Sequence, residues 1–169
     1  MDENYIIREA TEDDAEKMIT YLNQVGGESD NLMHEKRGFH VPVEGVKRKL
    51  SMCSASDNSV VLIALIEDEI IARAELEGYP NSRMHHKAKF SISVKKEYWN
   101  QGVGTKMMVN IIERAKDMNI KSIELEVIND NFAGITLYHK MGFADIGIYK
   151  DFWYVNGIYK DAIIMQKIL

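Results

Sequence analysis

This 169-residue chain is predicted to fold as one α/β domain built on a mixed sheet. Three observations lead there. Helical and strand periods alternate along the chain, beginning β, α, α. Three strand-like runs then follow one another as a meander before the pattern returns to helix, strand, helix. Finally, two strand-like runs meet at Asn156-Gly157, a strong hairpin signal. No repeat, low-complexity stretch or linker interrupts the order, so residues 1–169 read as a single domain, long enough to bury a core without staples.

Each element has its own reason. Residues 5–9 read as a short strand. Thr11 is placed to cap a helix, with Asp14 three residues on and Ala15, Met18, Ile19 and Leu22 at helical spacing before Gly26-Gly27. After the polar stretch "GGESDNLMHEKRGFHVP", Pro42 opens a second helix, in which Val46, Leu50 and Cys53 share a face. "SVVLIALI" is a continuous apolar run, as expected of a strand covered on both sides. Glu67-Asp68-Glu69 turns the chain. Ala72, Ala74 and Leu76 then alternate with Arg73, Glu75 and Glu77. Past "GYPNS", Ala88, Phe90, Ile92 and Val94 alternate with Lys87, Lys89, Ser91 and Ser93. Beyond Gly102 a helical stripe runs through Val103, Met107, Met108, Ile111, Ile112, Ala115 and Met118 to Asn119. Ile123, Leu125 and Val127 mark a strand, and "NDN" caps a helix carrying Ile135, Tyr138 and Met141 up to Gly142.

Composition narrows the function classes. Apolar residues make up 46% and charged residues 28%, an ordinary globular balance. A single cysteine, Cys53, leaves no disulfide within the chain and fits a reducing cytoplasm. The opening "MDENYIIREA" has an acid where a secretory signal needs basic residues, and no apolar run approaches membrane length. A net charge of −5 speaks against nucleic acid and mildly for cationic substrates. The expectation is a cytoplasmic protein with no nucleic-acid and no membrane partner. The five histidines, His34, His40, His85, His86 and His139, show no metal-ligand spacing, so no metal is expected. Cys53 and the ten methionines read as packing residues.

The stretch "YWNQGVGTKM" holds Gly102 and Gly104 where a strand has ended and a helix begins. Free N–H groups and the positive helix end make such a place suited to an anion, although a flexible turn is an equal reading from these residues alone. A dinucleotide fingerprint needs a third glycine where Met107 stands, and a Walker loop needs a terminal Gly-Lys-Ser/Thr that is missing.

Here the chain resembles the Gcn5-related N-acetyltransferases (GNAT). "VKKEYWNQGVGTKMM" is similar to their Gln/Arg-x-x-Gly-x-Gly/Ala loop, with Trp99 standing at the Gln/Arg position. "NFAGITLYHKMGF" is similar to the family's Asn-x-x-Ala/Gly-x-x-Leu-Tyr-x-x-x-Gly-Phe block, and "VNGIYKDAIIMQKIL" to its closing strand. The resemblance covers nearly the whole chain. It implies a mostly antiparallel mixed sheet flanked by helices, with two parallel central strands splayed apart. The implied activity is that of an acyltransferase, moving an acetyl group from acetyl-coenzyme A to an amine by direct transfer in a ternary complex.

The resemblance also assigns residues. Backbone groups of Ile92, Ser93 and Val94 would pair with the pantetheine arm, and the Val94 N–H would face the acetyl oxygen. Asn100, Gln101, Gly102, Val103, Gly104 and Thr105 would take the pyrophosphate, and Asn131 the arm. Tyr138 would lie near the sulfur as a proton donor, since a phenol with a pKa near 10 is protonated at neutral pH. The residues themselves allow Tyr138 simply to pack its ring. Lys89 stands where many members carry an acidic base, so the base stays open between His86, Glu28, Asp30 and a water relay. The acceptor would be a small-molecule amine or a protein amino terminus. Dimers are common among similar proteins, although no stretch here marks a homodimer interface. The alternative is a non-catalytic acyl-coenzyme A sensor module, kept open by Trp99 and Lys89 and opposed by Tyr138.

Overall fold

The computed structural model describes residues 5–33 and 38–169; His34 lies outside the described residues. The elements in order are β1 (Ile6–Glu9), α1 (Ala15–Val25), α2 (Val43–Ser54), β2 (Val60–Ile66), β3 (Glu69–Gly78), β4 (Lys87–Val94), α3 (Val103–Asp117), β5 (Ser122–Ile128), α4 (Phe132–Lys140), β6 (Ala144–Val155) and β7 (Ile158–Ile168). Single 3-10 turns precede α1 and follow β4. The seven strands form one sheet in the order β1-β2-β3-β4-β5-β7-β6, antiparallel throughout except for the parallel pair β4 and β5.

Two apolar layers hold it together. α1 and α2 cover one face, where Met18, Tyr21, Leu22, Val46 and Leu50 pack on Val61, Ile63, Leu65 and Ile70. α3 and α4 cover the other, where Met107, Met108, Ile111 and Tyr138 pack on Leu62, Ala74, Leu76, Phe90 and Leu125. β2 sends successive side chains to opposite layers, which is why its sequence is apolar without alternation.

Local chemistry sets the boundaries. The Thr11 N–H donates to Asp14 Oδ2 at 2.8 Å, closing the capping pattern expected from sequence, but through a 3-10 turn rather than the helix's own first turn. Arg8 Nη1 and Nη2 hold both Asp14 oxygens at 2.7 and 2.8 Å, tying β1 to this cap. The Asn156-Gly157 turn has φ of 52° and 81°, the left-handed pair that a two-residue hairpin demands.

On β3 the simple alternation breaks down. Glu75 is buried because the α1–α2 layer covers its face as well, and it is clamped by Arg73 and by Lys49 at 2.7 Å. Burial pushes its carboxyl up, yet the charges of Arg73 and Lys49 outweigh burial and leave it below its ordinary value.

Candidate active site

The sheet forks at its centre. β4 and β5 pair only through Lys87↔Ser122, Ala88↔Ile123 and Lys89↔Glu124. Past that rung β4 stays with β3 as far as Ala72↔Val94, while β5 stays with β7 as far as Ile128↔Ala162. Both outer ladders are intact, so this is a gap between two ordered strands rather than frayed ends. The Lys95 N–H bonds the Ile71 carbonyl at 2.9 Å on the β3 side. Alternation along a strand therefore turns the N–H and C=O groups of Val94 and Ile92 the other way, into the gap. Lys95 itself is buried and paired with Glu69, which anchors the strand end.

On the α3–α4 face the gap is closed by rings. Tyr138 meets Phe90 edge-on with centroids 6.3 Å apart and lies 6.0 Å from Phe143. Phe90 is the first β4 residue past the last rung, so the phenol of α4 reaches across the fork from the β5 side. Burial pushes the Tyr138 hydroxyl up to about 12. It makes no hydrogen bond among the described residues, and at neutral pH it keeps its proton.

At the mouth of the gap the chain turns sharply into α3. Gly102 has φ of 86° and serves as the N-cap. The first bond onto the cap runs from the Lys106 N–H to the Gly102 carbonyl at 3.0 Å. The N–H groups of Val103, Gly104 and Thr105 thus precede the ladder, at the positive end of a 15-residue helix. Val103 contributes only backbone here, because its side chain is in the core. A Cβ on Gly104 would come within 3.3 Å of Leu137 Cδ2, so the missing side chain there admits α4. Asn100 is exposed with φ of 60°, and Gln101 Nε2 donates back to the Glu97 carbonyl at 2.7 Å.

Trp99 has a definite place. Its Nε1–H donates to the Val94 carbonyl at 2.7 Å, and Lys96 sits over its ring. The indole thereby caps one of the backbone groups that face the gap. Asn131 Oδ1 accepts from the Gly134 N–H at 3.0 Å as the cap of α4, and its side-chain NH₂ makes no hydrogen bond among the described residues.

The base candidates separate. Glu28 is at the mouth, with Oε2 accepting from the Lys96 N–H at 2.7 Å, two residues past Val94. Asp30 accepts from Asn156 Nδ2 at 3.2 Å, so the loop after α1 touches the β6–β7 turn. His86 is not brought there. It is exposed in the turn just before β4, eight residues from Val94, or about 26 Å along an extended chain. That distance keeps the His86 imidazole away from the Val94 end of the gap.

Three groups at the gap are not predicted from the sequence. Tyr21 of α1 donates to the Ser93 carbonyl at 2.8 Å, fixing the residue before Val94. Glu124 and Glu126 point from β5 to the face opposite Tyr138. Glu124 is engaged by the Tyr79 hydroxyl and by Lys87 at 2.9 Å, whereas among the described residues Glu126 is paired with Lys89 alone, 3.7 Å away. The two-residue period puts both carboxylates on one face, but which face borders the gap depends on strand order. Cys53 is half-buried and its thiol is raised by burial, as suits a packing residue. No helix among the described residues is long and apolar enough to cross a membrane.

Residues 28–143 match the Acetyltransferase (GNAT) family. Over 108 residues the chain is 32% identical to the L-amino acid N-acetyltransferase AaaT of Escherichia coli (strain K12), covering 63% of this chain and 67% of that protein. It is 32% identical over 76 residues to the ribosomal protein bS18-alanine N-acetyltransferase of the same organism, covering 45% of this chain and 51% of that protein, about half its length. The crystal structure of an acetyltransferase from Streptococcus pneumoniae superposes with a TM-score of 0.95 at 29% identity, covering 98% of this chain and 99% of that one.

Proposed function

The chain belongs to the Acetyltransferase (GNAT) family, and from that premise we propose that it moves an acetyl group from acetyl-coenzyme A to a primary amine, directly, in a ternary complex. The fork between β4 and β5 carries this reading. It leaves a strand edge of β4 unpaired beside a helix N-terminus, which suits a ligand that joins an amide-bearing arm to a pyrophosphate. The cosubstrate supplies an activated acetyl thioester; the rest is done by the chain.

The N–H groups of Val103, Gly104 and Thr105, with the backbone of Asn100, Gln101 and Gly102, hold the pyrophosphate. Backbone groups from Ile92 to Val94 line the arm and its acetyl group, Ser93 being held in place behind them by Tyr21. The Val94 N–H is aimed at the acetyl oxygen, where charge develops as the amine attacks. Tyr138, protonated at neutral pH, gives its proton to the departing sulfur as the thiolate forms. The Asn131 NH₂ is left to steady the arm. An alkylamine arrives as ammonium, and Glu28 and Glu126, flanking the open side of the gap, are the groups that receive its proton, directly or through water. Nothing in this arrangement calls for a covalent acyl-enzyme. The acceptors in the relatives' names, L-amino acids and an alanine of a ribosomal protein, support an amine acceptor for this chain.

The test is calorimetric titration with acetyl-coenzyme A, desulfo-coenzyme A, NAD and ATP, followed by thiol release over a panel of amines. Saturable binding of the coenzyme A compounds alone with amine-dependent thiol release is expected. Binding without release for any amine would favour the sensor module. No binding would overturn the reading.

A further inference from the structure

Resting on that reading, we propose that the acceptor is a zwitterion, an amine with a carboxylate on the neighbouring carbon, held between Glu126 and Lys89. The acceptor has to approach from the face opposite Tyr138, because Phe90, Tyr138 and Phe143 close the other face of the fork. On the open face most charges are already committed. Glu75 is clamped by Arg73 and Lys49, Glu124 by Tyr79 and Lys87, Asp30 takes Asn156, and Glu28 takes the Lys96 N–H. Lys89 and Glu126 differ. Their charged atoms are 3.7 Å apart, beyond hydrogen-bond reach, and neither side chain makes a hydrogen bond among the described residues. Lys89 is 50% and Glu126 25% exposed, so each can turn toward a ligand.

Their placement matters as much as their charge. Lys89 stands on the last rung of the parallel ladder, opposite Glu124, and Glu126 is two residues further, where the strands have parted. An α-amino acid carries its ammonium and carboxylate one carbon apart, so it can slot into this loose pair: ammonium on Glu126, carboxylate on Lys89. The amine is then on the side of the gap that faces Ile92 and Val94. A polyamine or a protein amino terminus offers no adjacent carboxylate and leaves Lys89 unanswered.

Glu126 takes one ammonium proton, directly or through water, and passes it to solvent. The nitrogen lone pair forms the N–C bond to the acetyl carbon, and the C–S bond breaks with its electron pair going to sulfur. Tyr138 protonates that sulfur and is reprotonated by the second proton leaving the nitrogen. The products are an N-acetyl amino acid, the free thiol and one proton in solution.

The experiment measures acetylation of the twenty L-amino acids and of their α-amides, with spermidine and an unblocked alanyl peptide alongside, each rate expressed per fraction of free amine. At least one amino acid is expected to exceed its own amide ten-fold or more in kcat/KM. Lys89→Gln is expected to erase that preference by lowering the acid only, while desulfo-coenzyme A affinity stays within two-fold. Glu126→Gln is expected to lower acid and amide alike, since both present the same ammonium. Equal rates for acid and amide in the wild-type protein, acetylation confined to spermidine or the peptide, or a preference that survives Lys89→Gln would each overturn the zwitterion while leaving the acetyltransferase reading intact. Failure of coenzyme A compounds to bind would instead overturn that reading.

Discussion

Tyr138 packs its ring against Phe90 and Phe143, and those contacts alone would explain its burial. What they do not require is the hydroxyl. Tyr138→Phe keeps the packing and removes only the proton donor, so kcat is expected to fall about 100-fold or more while acetyl-coenzyme A affinity changes less than about three-fold; comparing turnover with calorimetric affinity checks both, and parallel losses would sink the donor role. Trp99 offers a second residue-scale test. Its indole N–H holds a carbonyl that faces the gap, so an arm entering there disturbs the ring's surroundings. Titrating acetyl-coenzyme A is expected to change tryptophan emission, and Trp99→Phe, which leaves only Trp153, is expected to abolish most of that change. An unchanged signal in the wild type would mean that the arm does not reach Val94.

At the scale of elements, the two loop glycines have different jobs. Gly104 lets α4 approach, because a Cβ there would press on Leu137 at 3.3 Å. The branched side chain of Gly104→Val is therefore expected to wedge α3 from α4, costing about 1–3 kcal/mol and weakening cofactor binding as the helix start shifts. Gly102 has open space around it but a φ of 86°. Gly102→Ala is expected to cost about 1–2 kcal/mol through backbone strain alone. Urea unfolding and cofactor titration on both variants separate the two mechanisms, and a Gly104→Val protein of wild-type stability would show that α4 yields easily. The sequence marks both glycines; it does not say that the neighbour of the second is a helix 33 residues further on.

For the whole molecule, acid stability is the useful probe. Asp14 accepts from Arg8 and from the Thr11 N–H, and these bonds outweigh burial to hold its carboxyl below the ordinary range. Glu75 is lowered as well. A carboxyl depressed in the folded state stabilises fully above its unfolded value, near 3.9 for Asp and 4.3 for Glu. That contribution is lost as pH falls through the folded value. Stability in urea is expected to be flat near neutrality and to fall below about pH 4. Asp14→Asn is expected to lower the plateau and make the acid limb shallower. A limb of unchanged slope in that variant would remove the Arg8–Asp14 clamp as its cause.

How much was legible follows from the range of the forces involved. Period-two and helical spacing, the capping pattern at Thr11, the left-handed turn at Asn156-Gly157 and the glycine-marked start of α3 depend on residues a few positions apart, and the chain states them directly. Even the phenol of Tyr138 is announced by its local block, "NFAGITLYHKMGF". Strand order is another matter. It puts β7 outside β5 and lets β4 and β5 part after one short ladder, and only then do Glu126 and Lys89 become neighbours, Tyr21 reach Ser93, and His86 fall at the wrong end of its strand. These are contacts between residues 37 and 72 positions apart, or a distance set by strand direction. The sequence determined the elements and the ends from which chemistry could be offered; the tertiary structure alone decided which charges met at the gap, because pairing across a sheet is chosen by the packing of whole layers and not by any run of neighbouring residues.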